Sequence, residues 1–135
     1  SRGLGDVYKR QIIFHINQTY KLGKNLYHFI KDGYDTNKKI KLFALNKPVG
    51  YHYNDKNAHA LLSCKMSQYG KLGRAAIGAL GALRESIQQK NGSNTKQESI
   101  EDMQANMWGW KYGFENPEKD CEDMIEQRYP RYIRR

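Results

Sequence analysis

The hydrophobic and polar positions follow a helical period through the second half of the chain. After Asn54, apolar side chains recur at helical spacing, at Ala58, Leu61, Leu62, Met66 and Tyr69. Asn54 or Asp55 can serve as the N-cap of a helix, and Gly70 is a typical terminator. The pattern therefore predicts a first helix from Asn54 to Tyr69.

A second helix is predicted from about Leu72 to Gln89. Residues 73–83 are rich in alanine and contain three glycines, Gly73, Gly78 and Gly81. Each glycine costs a helix about 1 kcal/mol relative to alanine, so three of them indicate a backbone that another helix approaches closely. We expect this to be the central helix of the domain.

Two further helices are predicted towards the C terminus. Residues 99–102, Ser-Ile-Glu-Asp, resemble a capping box, which predicts a third helix from there to about Tyr112. Residues 116–118, Asn-Pro-Glu, have the cap, the proline and the acid that are typical of a helix start. This fourth helix should end before Pro130, and residues 129–135 are predicted to form a frayed basic tail.

The first part of the chain has no clear period. Short apolar runs at residues 26–30 and 40–45 are separated by turn-forming residues at 32–33 and 35–37, which predicts an extended or irregular segment over residues 12–53. The codons for residues 6–11 can spell a transposase end sequence used in sequencing libraries. Residues 1–11 are therefore predicted to be a disordered or loosely attached artefactual tail, with the native N terminus and any signal peptide missing.

The predicted fold class is mainly α, a three- to four-helix bundle with a partly irregular N-terminal segment. Its helical domain spans residues 54–128, and the length of 135 residues suits a single domain. No run approaches the ~18 uncharged apolar residues that a membrane-spanning helix requires. We expect no membrane span, while a cytoplasmic and an exported location both stay open.

The net charge of +9 is unevenly distributed. Residues 12–90 carry 13 Lys and Arg against 4 Asp and Glu, whereas residues 91–135 carry 7 against 9. The basic half can attract nucleic acid or an acidic protein partner through its long-range field. A solvated basic surface without a partner explains the same distribution.

The two cysteines, Cys64 and Cys121, exclude the common C-x-x-C motifs of zinc ribbons and thioredoxin-type sites. Either both are free or they pair with each other. Pairing would close a loop of 57 residues, which stabilises by roughly 4 kcal/mol on the chain-entropy model and requires an oxidising compartment.

Five polar residues on the predicted helices suggest one site. Asp55 and His59 are four apart on the first helix, as are Asp102 and Asn106 on the third, and Glu85 lies late in the second. Buried charge is costly unless it is paired, so convergence of these groups in a bundle implies a shared purpose. A purely structural role for each residue stays open, since Asp102 is also expected to cap its helix.

The motif Asp55-Lys56-x-x-His59, with Glu85 and then Asp102-x-x-x-Asn106-x-x-Gly109, resembles VanZ-like proteins and small bacterial lipoproteins of the YfiM type. Related helical modules occur at the ends of large toxin-like proteins. The resemblance covers residues 54–113, and it implies that these five polar positions match those of the families. The helices of those families are largely embedded in membranes, whereas the helices predicted here are not.

Two functions are consistent with these patterns. In the first, a bacterial or phage-type protein carries a hydrolytic site, with a divalent metal bound by His59, Glu85 and Asp102. His59 would serve as ligand or general base, and Glu85 and Asp102 as ligands or acid–base groups. Asp55 would orient His59, and Asn106 would act as a hydrogen-bonding positioner. In the second, the chain is a non-enzymatic binding or scaffold module in which the polar groups satisfy one another.

Overall fold

The protein is mainly α-helical, as the sequence predicts. A computed structural model describes residues 2–78 and 95–134. In chain order the elements are α1 (Arg2–Leu45), β1 (Tyr51–Tyr53), α2 (Asp55–Ser67), α3 (described over 71–78), α4 (Lys96–Glu115), α5 (Cys121–Arg128) and β2 (Tyr132–Arg134). Within the described ranges, no helix combines the length and apolar content needed to cross a membrane.

The long helix α1 takes up residues 12–45 of the segment that the sequence predicts to be extended or irregular, and only residues 46–53 are so, as a loop and the strand β1. Its second half has a seam with the helical spacing 4-3-4-3, formed by Phe29, Gly33, Thr36, Ile40 and Phe43. This seam packs on the rest of the protein: Thr36 is buried, and Ile40 and Phe43 lie against the core. The prediction is wrong because burial of this seam overrides the local turn preference of the Asp and Gly residues.

Residues 2–11 continue α1 as helix, so of the two alternatives predicted for this tail the disordered one is wrong. The side chains described in that stretch are exposed to solvent.

Helix α2 confirms the first predicted helix. Its N-cap is Asn54, whose side chain accepts a hydrogen bond from the Lys56 N–H at 3.1 Å. Helix α2 ends at Ser67 with Gln68 as its C-cap, and the chain then turns at Gly70, whose φ of +84° a residue with a Cβ rarely adopts.

Helix α4 begins four residues earlier than the sequence predicts. Thr95 is the N-cap: its hydroxyl accepts from the Glu98 N–H at 3.2 Å, and the Glu98 carboxylate accepts from the Thr95 N–H at 3.4 Å. This reciprocal pair is a better capping box than residues 99–102, because glutamate reaches back to the cap more readily than aspartate. Ser99 and Asp102 therefore lie inside the helix on its buried face, and Asp102 is not a cap.

The C-terminal region differs from the prediction at both of its ends. Asn116 is the C-cap of α4, and α5 begins only after Asp120, whose carboxylate accepts from the Glu122 N–H at 2.9 Å. The helix does end before Pro130, as predicted. The predicted frayed tail is wrong, because residues 132–134 form β2, which pairs antiparallel with β1.

The core is small and includes a disulfide. Cys64 of α2 and Cys121 of α5 are bonded, with Cα atoms 5.9 Å apart, and both are almost fully buried. Ala60, Leu61, Ala105 and Ile125 complete the buried cluster. Of the alternatives that the sequence left open for the cysteines, the structure has the paired one.

The backbones of α2 and α4 lie in close contact at two glycines of α4. A Cβ added to Gly109 would lie 2.1 Å from the Ala60 carbonyl oxygen, and one added to Gly113 would lie 2.2 Å from the Cys64 carbonyl oxygen. Both distances are far shorter than any real contact, so only glycine fits at these two positions. The repeats Ala60-x-x-x-Cys64 and Gly109-x-x-x-Gly113 thus fix how the two parallel helices align.

Replacement of Gly109 by alanine should lower the free energy of unfolding by about 3 kcal/mol, because the helices must separate to admit the methyl group. Urea unfolding measures the loss. Gly78→Ala is the matched control, since its Cβ would make an ordinary 3.6 Å contact with the Trp110 ring and alanine favours the helix. Equal effects of the two substitutions would contradict the close packing.

Reduction of the disulfide should lower the free energy of unfolding by roughly 4 kcal/mol, since it frees a 57-residue loop in the unfolded chain. Urea unfolding with and without dithiothreitol measures the difference. A Cys64→Ala/Cys121→Ala variant should be insensitive to the reductant. An unfolding curve of the parent protein that the reductant leaves unchanged would mean that the bond does not form.

Candidate metal and hydrolytic site

The first part of the site lies on one face of α2. Asp55, His59 and Ser63 follow one another at intervals of four residues, so successive helical turns bring their side chains into one row. The His59 Nε2 atom lies 3.4 Å from the Asp55 Oδ2 atom. The structure therefore supports the predicted pairing of these two residues.

The second part comes from α4, which lies alongside. The same His59 Nε2 atom lies 3.5 Å from Asp102 Oδ2, while His59 Nδ1 lies 3.2 Å from Asn106 Oδ1. Four of the five residues predicted for the site thus meet around one imidazole. The fifth, Glu85, lies outside the described residues.

Asn106 fixes the orientation of the histidine. Its Oδ1 atom accepts a hydrogen bond from the Ser63 hydroxyl at 3.3 Å and lies 3.2 Å from His59 Nδ1. With the amide oxygen on this side, the tautomer that carries a proton on Nδ1 can donate it to Asn106. The other ring nitrogen, Nε2, faces the two carboxylates.

Burial differs across the site. His59 and Asp102 are 7% and 2% exposed, whereas the Asp55 side chain is 68% exposed. One edge of the cluster is therefore sheltered between the helices, and the Asp55 edge opens to solvent. The imidazole of His59 therefore lies inside the fold and can still be reached from the Asp55 side.

Lys56 is a member of the site to which sequence analysis gave no role. Its ammonium donates to Asp102 Oδ1, which leaves Oδ2 towards His59. Burial lowers the pKa of Lys56, but the hydrogen bond and the charge of Asp102 outweigh it, so the pKa is raised overall. The only sequence signal was the position of Lys56 between Asp55 and His59 in the motif.

Ser99 also belongs to the face of α4 that carries Asp102, and sequence analysis assigned it to a cap instead. It is fully buried, and its hydroxyl has no hydrogen-bond partner in the part of the chain that the structure describes. An unsatisfied buried hydroxyl costs about 1–3 kcal/mol. The spacing 99-102-106-109-113 would have identified this face, because it is the 3-4-3-4 pattern of one helix stripe.

The cluster has a geometry that can hold a metal ion. His59, Asp55 and Asp102 each offer one ligand atom, and these three atoms lie within 4.8 Å of one another. A ligand histidine in metalloproteins typically donates its second N–H to an oxygen that orients the ring, as His59 can to Asn106. The sequence predicted His59, Glu85 and Asp102 as ligands. Among the residues that the structure describes, Asp55 joins His59 and Asp102 as a potential ligand.

The ion pair between Lys56 and Asp102 should make stability depend on alkaline pH. Because the pKa of Lys56 is higher in the folded than in the unfolded chain, the pair stabilises fully below about pH 10.4, and this contribution is lost as pH rises through the folded pKa. At neutral pH, Lys56→Met should lower the free energy of unfolding by about 1–2 kcal/mol. This gap between the parent protein and the variant should narrow above about pH 10.4.

Urea unfolding across the alkaline range measures this gap. The pKa values of Tyr53 and Tyr69 are also raised, mainly by burial, but both proteins share these tyrosines and the difference between them isolates Lys56. If the difference between Lys56→Met and the parent protein stays constant through this range, the pair does not contribute as described.

Comparisons with models of protein families, with curated proteins and with solved structures found no match for this chain. The resemblance to VanZ-like and YfiM-type proteins therefore stays a prediction.

Proposed function

We propose that this protein is a metal-dependent hydrolase whose divalent ion is bound by His59 Nε2 and by carboxylate oxygens of Asp55 and Asp102. One observation carries the proposal. Three ligand atoms from two different helices lie within 4.8 Å of one another, and the histidine is turned so that Nε2 faces the two carboxylates.

The donor set suits a particular class of ions. One imidazole nitrogen with two carboxylate oxygens is typical of zinc, manganese or ferrous iron rather than of calcium or copper(I). Three protein ligands also leave a coordination position for water, as in catalytic rather than structural zinc sites. An ion held by His59, Asp55 and Asp102 would supply the acidity that generates a water-derived nucleophile for hydrolysis near neutral pH.

The surrounding residues have supporting roles in this proposal. Asn106 and Ser63 hold the imidazole in its orientation, and Lys56 engages the Asp102 oxygen that faces away from the ion. Asp55 is on the solvent side, so substrate would approach across it. Glu85 stays a predicted additional ligand or acid–base group on the basis of its sequence position alone.

Disulfide formation adds a condition on where this activity would operate. Disulfides persist in oxidising environments, so the proposed site of action is an exported or otherwise oxidising compartment.

Addition of zinc, manganese or cobalt to the metal-free protein should raise the free energy of unfolding by about 2.7 kcal/mol at a free-ion concentration of about 100 times Kd. Differential scanning calorimetry measures the rise. It should disappear in His59→Ala and Asp102→Asn. It should persist in His28→Ala, which removes an exposed histidine outside the site.

The hydrolytic part is tested separately with chromogenic carboxylic and phosphate esters. Turnover should require the added ion, stop with a chelator and be absent from His59→Ala. Metal binding without turnover on any ester would reject the hydrolase and leave a metal site. No stabilisation by any of the three ions would reject both, and would favour a scaffold in which these groups only satisfy one another.

A further inference from the structure

An exposed apolar stripe runs along α1 on the side away from the core. Its members recur at intervals of three, four or seven residues, and their side chains are between 58% and 70% exposed: Ile12, Ile16, Tyr20, Tyr27, Ile30 and Tyr34. At about 100° per residue these six positions fall within less than a quarter of the helix circumference. We call them the Ile/Tyr stripe.

The opposite side of α1 is the side that packs on the rest of the domain. Phe29 stacks edge-on against Tyr69, and the Tyr69 hydroxyl donates to the Asp32 carboxylate and to the His28 carbonyl at 3.1 Å. Thr36 is buried on this same side. The Ile/Tyr stripe is therefore not the surface by which α1 attaches to its own fold.

Basic and acidic residues lie on different parts of the helix surface. Lys24, Lys31 and Lys38 recur every seven residues along one edge of the Ile/Tyr stripe, and all three are exposed. The two acids of α1 after residue 11, Asp32 and Asp35, lie further round the helix and line a cavity that it forms with α2 and α5. The Ile/Tyr stripe and the edge beside it are thus apolar and basic over this length.

We propose that the outward side of α1 binds the surface of an anionic lipid membrane, lying in its plane. An apolar stripe flanked by lysines is the arrangement of helices that insert one face among lipid headgroups. Tyrosine is typical of the membrane–water boundary, and each lysine gains about 1 kcal/mol near an anionic surface. This role is independent of the hydrolase proposed above.

Two other partners match the same surface less well. Nucleic acid would use the lysines and could stack on the tyrosines, but three exposed isoleucines gain nothing from phosphates. In a coiled coil with a second copy, the heptad positions would hold two isoleucines but also Gly23 and three tyrosines, where branched aliphatic side chains are preferred. Charge and apolar character together favour lipid.

The test is co-sedimentation of the full-length oxidised protein with vesicles of phosphatidylcholine, with and without phosphatidylglycerol. The protein should bind the anionic vesicles more tightly, and salt should weaken the binding. The triple variant Lys24→Gln/Lys31→Gln/Lys38→Gln should bind them about 100-fold more weakly, as expected from the gain per lysine.

A second variant removes the apolar side chains and retains the charges. Ile16→Gln/Tyr27→Gln/Ile30→Gln should abolish binding, since glutamine preserves the helix but does not insert among lipids. Val49→Gln/Leu72→Gln is its control, because both residues are exposed and apolar but lie off the Ile/Tyr stripe. This control should bind like the parent.

Four results would overturn the proposal. The first two are no binding to either vesicle and equal binding to both. The third is a dimer in sedimentation velocity that Ile16→Gln/Tyr27→Gln/Ile30→Gln abolishes. The fourth is tighter binding to a DNA duplex than to the anionic vesicles. The third would assign the stripe to a second copy of the chain. The fourth would assign the basic surface to nucleic acid.

Discussion

The rest of the structure depends on the backbone contact between α2 and α4. Where Gly109 meets the Ala60 carbonyl and Gly113 meets the Cys64 carbonyl, the two parallel helices lie too close together to admit a Cβ. That contact fixes their alignment, so Asp102 and Asn106 come level with His59. A side chain at either glycine would push the helices apart, and the polar groups one and two turns away would lose their partners.

The polar cluster and the disulfide stabilise the two ends of this helix pair in different ways. Near the start of α2, Asp102 is buried but pairs with Lys56 and faces His59, so its charge is compensated inside the fold. Near the end of α2, Cys64 is bonded to Cys121 of α5, which compensates for a core of few large side chains. A rigid helix pair results, and rigidity is what holds potential ligands in place.

Sequence patterns predicted the parts of this fold whose signals are local. Asn54 and Gly70 mark the ends of the first helix because a cap and a positive φ depend on neighbouring atoms only. Thr95 and Ser99 are both residue types that can cap α4. Thr95 is the N-cap, because the Glu98 side chain reaches back to its N–H. Helix α1 was missed because its helical seam is explained only by burial against α2 and the core, and β2 because its partner strand is about 80 residues away. The sequence predicted that four polar side chains would converge, because such groups are costly to bury without partners: Asp55, His59, Asp102 and Asn106. The contact of Lys56 with Asp102 appears only in three dimensions.

We propose that the contact between α2 and α4 creates one metal site from residues far apart in the chain. Anomalous X-ray diffraction from crystals soaked in zinc would locate a bound ion directly. We expect one strong peak about 2.0–2.2 Å from His59 Nε2 and from an oxygen of both Asp55 and Asp102. A crystal structure in which the imidazole and the two carboxylates point apart into solvent, with no zinc between them, would contradict it.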